Sequence, residues 1–202
     1  MALRCAAGLL LDRNKGEIVR KLLKKITFRT VPVYAAVFVI LYFAKKENMA
    51  LKYFIAGAAL IVIGEFFRIW GCGHLVKTKE FIVSGPYAHL RHPLYLGTYL
   101  ITFGFCMMAG MWWMLILSQL VYALYYYPRK EIIEGFRLAS FYGEEYFKYM
   151  RSVPALIPSI KPYAASGMKW SFKRVVSNSE LGILAAVFVG TAILYLKFSS
   201  RI

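Results

Sequence analysis

Three long apolar runs, Ala50–Trp70, Leu94–Tyr127 and Leu181–Leu196, constrain this chain more than any other feature. About 20 apolar residues in a helix match the hydrocarbon thickness of a bilayer. Inside lipid every backbone N–H and C=O must be bonded within the chain, so continuous apolar runs of this kind become helices. The composition agrees: 59% of residues are hydrophobic and the mean hydropathy is +0.53, against about 45–50% apolar in soluble domains. With 202 residues there is room for one helical bundle. The formal charge is +16, from 26 Lys+Arg against 10 Asp+Glu. A nucleic-acid-binding domain can be this basic, but it would not carry several runs of membrane length. The excess reads as Lys and Arg flanking the spans and facing anionic headgroups. Cys5, Cys72 and Cys106 are too scattered for a disulfide framework or a paired-cysteine metal site. The short apolar run Ala6–Leu11 is followed by Asp12, Arg13 and Lys15, which is not the pattern of a secretory signal.

Taken in order, residues 16–30 place Ile18, Leu22, Leu23 and Ile26 on one helical face and Arg20, Lys21, Lys24 and Lys25 mainly on the others. This predicts a basic amphipathic helix lying on the membrane surface. Pro32 opens a first apolar helix, Val31–Ala44, which is short for a span. The second helix, Ala50–Trp70, is long enough to cross, and Glu65 and Arg68 in its last turns are spaced to pair on one face. Leu94–Tyr127 is too long for one span. Gly104, Gly110 and the Met-rich middle divide it into helices over roughly 94–108 and 111–127, joined by a tight turn, with Gly97 and Gly104 forming a small face for close packing. Residues 161–180 read as a polar connector before the last apolar helix. The expected architecture is an all-α, polytopic membrane bundle of about five transmembrane helices plus the N-terminal interfacial helix. Its expected divisions are 1–30, a membrane core over 31–162, and a connector with a final helix over 163–202. The positive-inside rule places the N-terminus in the cytoplasm.

Two polar islands interrupt the apolar runs. The first, Ser84–Gly97, has a turn at Gly85-Pro86, and Pro93 biases His92 away from the α region. Arg91 and His92 therefore sit at the mouth of a helix that begins near Leu94. The partial positive charge there, with Arg91 beside it, suits a carboxylate or phosphate. His92 adds a titratable ring. An equally natural reading is a basic interface loop anchored by Tyr87 and Tyr95. The second island begins at Pro128, with Glu131, Glu134 and Arg137 in one row. Gly143 allows a break, and helical pattern resumes over Glu144–Arg151 until Pro154 and Pro158 stop it. The hairpin between the islands brings both to one membrane face; the second then reads either as an amphipathic surface helix with solvated charges or as one that sets Glu134 against Arg91 and His92. Gly71-x-Gly73 could let backbone approach a ligand or simply end a helix. Cys72, His74, His89 and His92 match no common zinc spacing, so no metal is expected.

Taken together the islands resemble the membrane-embedded methyltransferases of the isoprenylcysteine carboxyl methyltransferase and phospholipid methyltransferase superfamily. The resemblance is carried by Arg68-Ile69-Trp70, Gly73-His74-Leu75, Gly85-Pro86-Tyr87, and Arg91-His92-Pro93 with Tyr95 and Gly97. After the hairpin it continues through Glu134, Tyr142-Gly143-Glu144-Glu145-Tyr146, Tyr149 and Val153-Pro154, covering roughly residues 50–162. It implies S-adenosylmethionine as cofactor, with Arg91, His92, Tyr95 and Glu134 as contacts and Gly73, His74, Glu131 and Tyr146 beside them. It also implies Arg91, His92 and Glu134 as the catalytic set. This chain has Glu134 between Ile133 and Gly135, where the family usually has adjacent glutamates. Bottom-up chemistry fits the same residues: the cofactor's carboxylate wants Arg91 or the N–H groups near Leu94, its ammonium Glu134 or Glu131, and its sulfonium an aromatic face such as Tyr95.

The leading functional expectation is methyl transfer to a lipid-like acceptor, carboxyl O-methylation of a prenylcysteine-type group, in the cytoplasmic half of the membrane. The alternatives are a phospholipid N-methyltransferase of the phosphatidylethanolamine type, a sterol-type reductase using NADPH, and a non-catalytic membrane scaffold or transporter. Charged residues cluster at one face and not across the midplane, which speaks against a solute path. No nucleic-acid partner is expected.

Overall fold

The computed structural model describes residues 38–45, 48–76, 81–163 and 168–200, and these are helical wherever they are regular. Side chains at 125–131, 133–134 and 136–137 lie outside the description. So do the amphipathic segment expected over 16–30 and most of the first apolar helix, of which residues 38–43 are helical. The elements are α1 (Leu51–His74), a 3-10 turn (Gly85–Ala88), α2 (Pro93–Met108) and α3 (Trp112–Val121). A π-helical turn (Tyr122–Tyr126) follows, then α4 (Tyr127–Ser152), α5 (Phe172–Ser177) and α6 (Glu180–Ser199).

Two of these, α1 and α6, are long and apolar enough to cross a membrane, and α2 and Trp112–Leu124 are shorter apolar helices. At 1.5 Å per residue α1 is about 36 Å long and α6 about 30 Å, whereas α2 is only about 24 Å. The expected hairpin is present. Its turn at Ala109–Met111 uses Gly110 at φ 66°, packed against the backbone of Asn48 so closely that a side chain there has no room. No loop precedes Pro128: the π-helical turn leads straight into α4. Proline lacks an N–H and crowds the preceding turn, and a widened turn just upstream relieves both.

The core of the bundle is the antiparallel pair α1/α2. Gly57 faces Gly104 and Gly64 faces Gly97, each glycine lying against the backbone carbonyl of its opposite number. A Cβ on Gly57 would lie 2.6 Å from the Gly104 oxygen, and one on Gly64 2.7 Å from the Gly97 oxygen. The seven-residue spacing recurs on both helices, so the two contacts repeat after two turns along one seam. Lys197 near the end of α6 donates to the carbonyls of Leu41 (2.6 Å) and Ala44 (3.4 Å), which caps the first helix. One face of the bundle therefore carries residues 44–45 and 48–50, the 109–111 turn and the end of α6. The opposite face carries the end of α1, the start of α2, the start of α6 and both polar islands.

Residues 168–180 of the connector expected over 161–180 pack against the end of α1. The α1 C-terminus leaves carbonyls without intrahelical partners, and the connector supplies donors to that end. Ser171 N–H donates to Gly73 O (3.0 Å), Arg174 Nη1 to Gly73 O (3.2 Å), Trp170 Nε1 to Ile69 O (3.3 Å), and Asn178 Nδ2 to Cys72 O and Leu75 O (3.2 and 3.0 Å).

Candidate functional site

The first island is held by the end of the second through backbone bonds. Arg91 N–H donates to Pro154 O (2.9 Å), His92 N–H to Ala155 O (3.1 Å), Ser159 N–H to His89 O (2.8 Å) and Tyr163 N–H to Ala88 O (2.9 Å). The His89 ring meets Ser159 O (2.8 Å) and Tyr149 Oη donates to Tyr87 O (2.7 Å). The expected meeting of the islands is thus observed; among the described residues its partners are 149–163, and the Glu134 side chain lies outside the description.

The second island reaches this position because α4 breaks at Gly143, whose φ of 51° and ψ of −125° lie outside any helix. The fold-back packs Tyr142, Tyr146 and Tyr149 around Phe81, with Tyr163 against Tyr149 (ring centroids 5.3 Å apart). Tyr149→Phe is expected to destabilise the protein by about 0.5–1.5 kcal/mol, the net value of one hydrogen bond. Thermal unfolding in detergent measures it, and an unchanged midpoint would show that the 2.7 Å bond holds nothing.

Arg91, His92 and Tyr95 lie together in the chain at the start of α2. All three are half-buried at the mouth of α2, and the His92 and Tyr95 rings stack with centroids 5.1 Å apart and planes 19° apart. Tyr99 continues this line one turn deeper and meets Tyr122 of the π-helical turn at 5.3 Å. The amides of Arg91 and His92 are committed to Pro154 and Ala155, which leaves the Arg91 guanidinium and the start of α2 near Leu94 as the features at this mouth that suit an anion.

Gly73 and His74 have structural surroundings. Gly73 lies under the Trp170 indole, and Gly71 against Pro93 and Leu94. The glycines of Gly-Cys-Gly thus admit side chains of this chain. The buried His74 ring is hydrogen-bonded to Ser84 Oγ (3.0 Å) and fills the space over Gly85, which adopts φ 58°. Tyr146 is buried in the aromatic cluster, with its hydroxyl beside Gly135. Glu131 and Glu134 lie on α4, and their side chains are outside the description.

The expected Glu65–Arg68 pair is not formed. Arg68 Nε and Nη2 donate to the two carboxylate oxygens of Glu180 at 2.6 and 2.8 Å, and Nη1 donates to Thr98 Oγ1 at 2.6 Å. Cys72 Sγ also donates to Glu180, at 3.2 Å. A carboxylate arriving end-on from another helix takes both arms of the guanidinium fork, which is why Glu180 prevails over a neighbour on the same helix. Glu65 stays buried with neither carboxylate oxygen hydrogen-bonded among the described residues. Sequence reading missed Glu180, although an acid opening an apolar helix, opposite an arginine closing another, is a signal that could have found it.

Residues 47–145 match the family described as phospholipid methyltransferase. The chain is also 29% identical over 117 residues to protein-S-isoprenylcysteine O-methyltransferase of Schizosaccharomyces pombe, covering 55% of this chain and 47% of the relative. The chain therefore spans about half the length of the curated relative it matches. No solved structure matches.

Proposed function

Since its segment 47–145 makes this chain a member of the phospholipid methyltransferase and isoprenylcysteine carboxyl methyltransferase superfamily, we propose that it is an integral membrane enzyme that methylates a lipid-like acceptor. The observation that carries the reading is the clasp of the islands, Arg91 to Pro154 and His92 to Ala155. It fixes a cation and a stacked aromatic pair beside the second island at the membrane boundary. The methyl donor is S-adenosylmethionine, as in the family, and it supplies an electrophilic methyl group on a sulfonium.

The described residues fit such a zwitterion with an added cation. Arg91 would hold the carboxylate, and the faces of His92, Tyr95 and Tyr99 would line the sulfonium side. Glu134, with Glu131 one turn upstream on α4, is the acid for the ammonium. Methyl transfer asks the protein mainly to orient its reactants and exclude water. The short helices α2 and α3 leave the site near the bilayer boundary, where the donor enters from water and the acceptor from lipid. Five spans with a cytoplasmic N-terminus put both islands on the cytoplasmic face.

Calorimetry with S-adenosylmethionine and its demethylated product tests the donor site. Glu134→Gln is expected to lose about 1.5–3 kcal/mol, roughly tenfold to a hundredfold in affinity, and His92→Ala about 0.5–2 kcal/mol for its lost ring face. Unchanged affinity in both would remove these residues from the site.

The acceptor is a carboxylate on a lipidated cysteine or similar amphiphile. An anionic acceptor needs no general base, and the second island from Tyr142 to Pro154 resembles the carboxyl-methylating branch. The family over residues 47–145 is described by its phospholipid substrates, which supports N-methylation of an ethanolamine headgroup as the second reading. An ammonium acceptor must first lose a proton. His92, at the rim, is better placed to take it than His74, which is held between Ser84 and Gly85. Incubation with labelled donor and a lipid panel separates the two. A methyl ester releases its label as methanol in mild base, whereas base-stable label on phosphatidylethanolamine would decide for N-methylation.

A further inference from the structure

We propose that the loop over residues 154–163 is a membrane-interface wedge seated in an anionic leaflet, with Ile157 and Ile160 in the acyl boundary and Lys161 among the phosphates. The loop's Pro154 and Ala155 also hold Arg91 and His92, but the proposal concerns its outward side chains and does not depend on the reaction. Ile160 is 97% exposed and Ile157 79% exposed, the two largest exposures among the large apolar side chains described. Neither sits on a loose loop. Pro154, Ala155, Ser159 and Tyr163 are each hydrogen-bonded through the backbone to residues 88–92, and prolines at 154, 158 and 162 restrict what lies between. The chain thus holds two isoleucines outward instead of letting them fold in.

Their level is set by the same bonds. Residues 88–92 lead directly into Pro93, where α2 begins. At this end α1 also finishes and α6 starts, with Glu180 on Arg68. The wedge therefore lies where the apolar helices leave the bilayer. Its charge agrees with an anionic leaflet: Lys148, Arg151 and Lys161 are exposed, and no acidic residue occurs from Tyr146 to Tyr163. Basic groups at this depth are drawn to anionic lipid. The basic segment over 16–30 is a poor cover for the wedge, because Arg20, Lys21, Lys24 and Lys25 would face the same sign of charge. An anionic leaflet complements both segments at once.

The test uses the full chain, in a Cys5→Ser background, reconstituted into vesicles of phosphatidylcholine and phosphatidylglycerol. A polarity-sensitive fluorophore is attached at Ile160→Cys and, as a water-exposed control, at Glu144→Cys; Cys72 and Cys106 are buried. The expected result is blue-shifted emission at position 160 relative to 144, with protection from iodide and strong quenching by lipids spin-labelled near the headgroup. Adding Lys161→Glu is expected to weaken that lipid quenching. Emission and iodide quenching equal to the control would overturn the proposal. So would a blue shift that spin-labelled lipid does not quench, since that would mean cover by protein, either this chain's own N-terminal segment or a second copy.

Discussion

Glu180→Ala is expected to cost about 3–5 kcal/mol of stability, because it leaves the Arg68 guanidinium buried without its carboxylate. Both oxygens of Glu180 are used by Arg68, and the two side chains are 2% and 10% exposed. The loss is larger than for a surface pair because neither water nor lipid at this depth can replace the missing charge. Glu180→Gln keeps an acceptor and the side-chain volume, so it should cost less than alanine. The readout is thermal unfolding in detergent, followed by a thiol-reactive dye. Cys72, which donates to Glu180, is 2% exposed and becomes reactive as this region opens. An alanine variant with the wild-type midpoint would show that the ion pair is not a tie between α1 and α6. The consequence extends to the site. Arg68 also holds Thr98 on α2, whose own hydroxyl donates to Leu94 O (2.9 Å), three residues from Arg91.

Gly64→Leu is expected to cost about 3 kcal/mol, at the upper end of the usual overpacking range. Even alanine at this position would place its Cβ 2.7 Å from the Gly97 oxygen, and a backbone cannot rotate out of the way as a side chain can. The helices must separate, which also loosens Gly57 against Gly104. This geometry makes a sharper prediction about pairs. Gly64→Ala and Gly97→Ala act on one approach distance, so once either has parted the helices the other adds little. The double variant should be clearly less destabilised than the sum of the singles by thermal unfolding. Strict additivity would mean that the two glycines do not share a seam.

Several parts of this arrangement were readable from local pattern. The apolar runs announced helices, since hydropathy over 20 residues needs no tertiary information. Gly110 marked the hairpin turn and Gly143 the break in α4, because both positions take positive φ, which favours glycine. Gly97 and Gly104 showed the packing face of α2. Their partners Gly57 and Gly64 are equally visible, but nothing in the sequence pairs one small-residue row with another. Arg91 and His92 were legible at a helix mouth because a proline at a helix start sets the local geometry of its neighbours, and the family resemblance added Tyr95 to them.

By itself, then, the sequence determined the membrane-helical class, the two polar islands and the grouping of Arg91, His92 and Tyr95. The first two follow from pattern along the chain over about 20 residues, and the third from the motif that carries the family resemblance. Only the tertiary structure decided what those groups touch. It gave Arg68 to Glu180, 112 residues away, and not to Glu65 three residues away. It filled the space at Gly73 with Trp170, turned His74 toward Ser84, and used the amides of Arg91 and His92 to grip Pro154 and Ala155. The physical reason is common to these cases. A buried polar group must find a partner wherever the fold supplies one, and which partner arrives depends on how the helices cross, not on the spacing of residues along one of them.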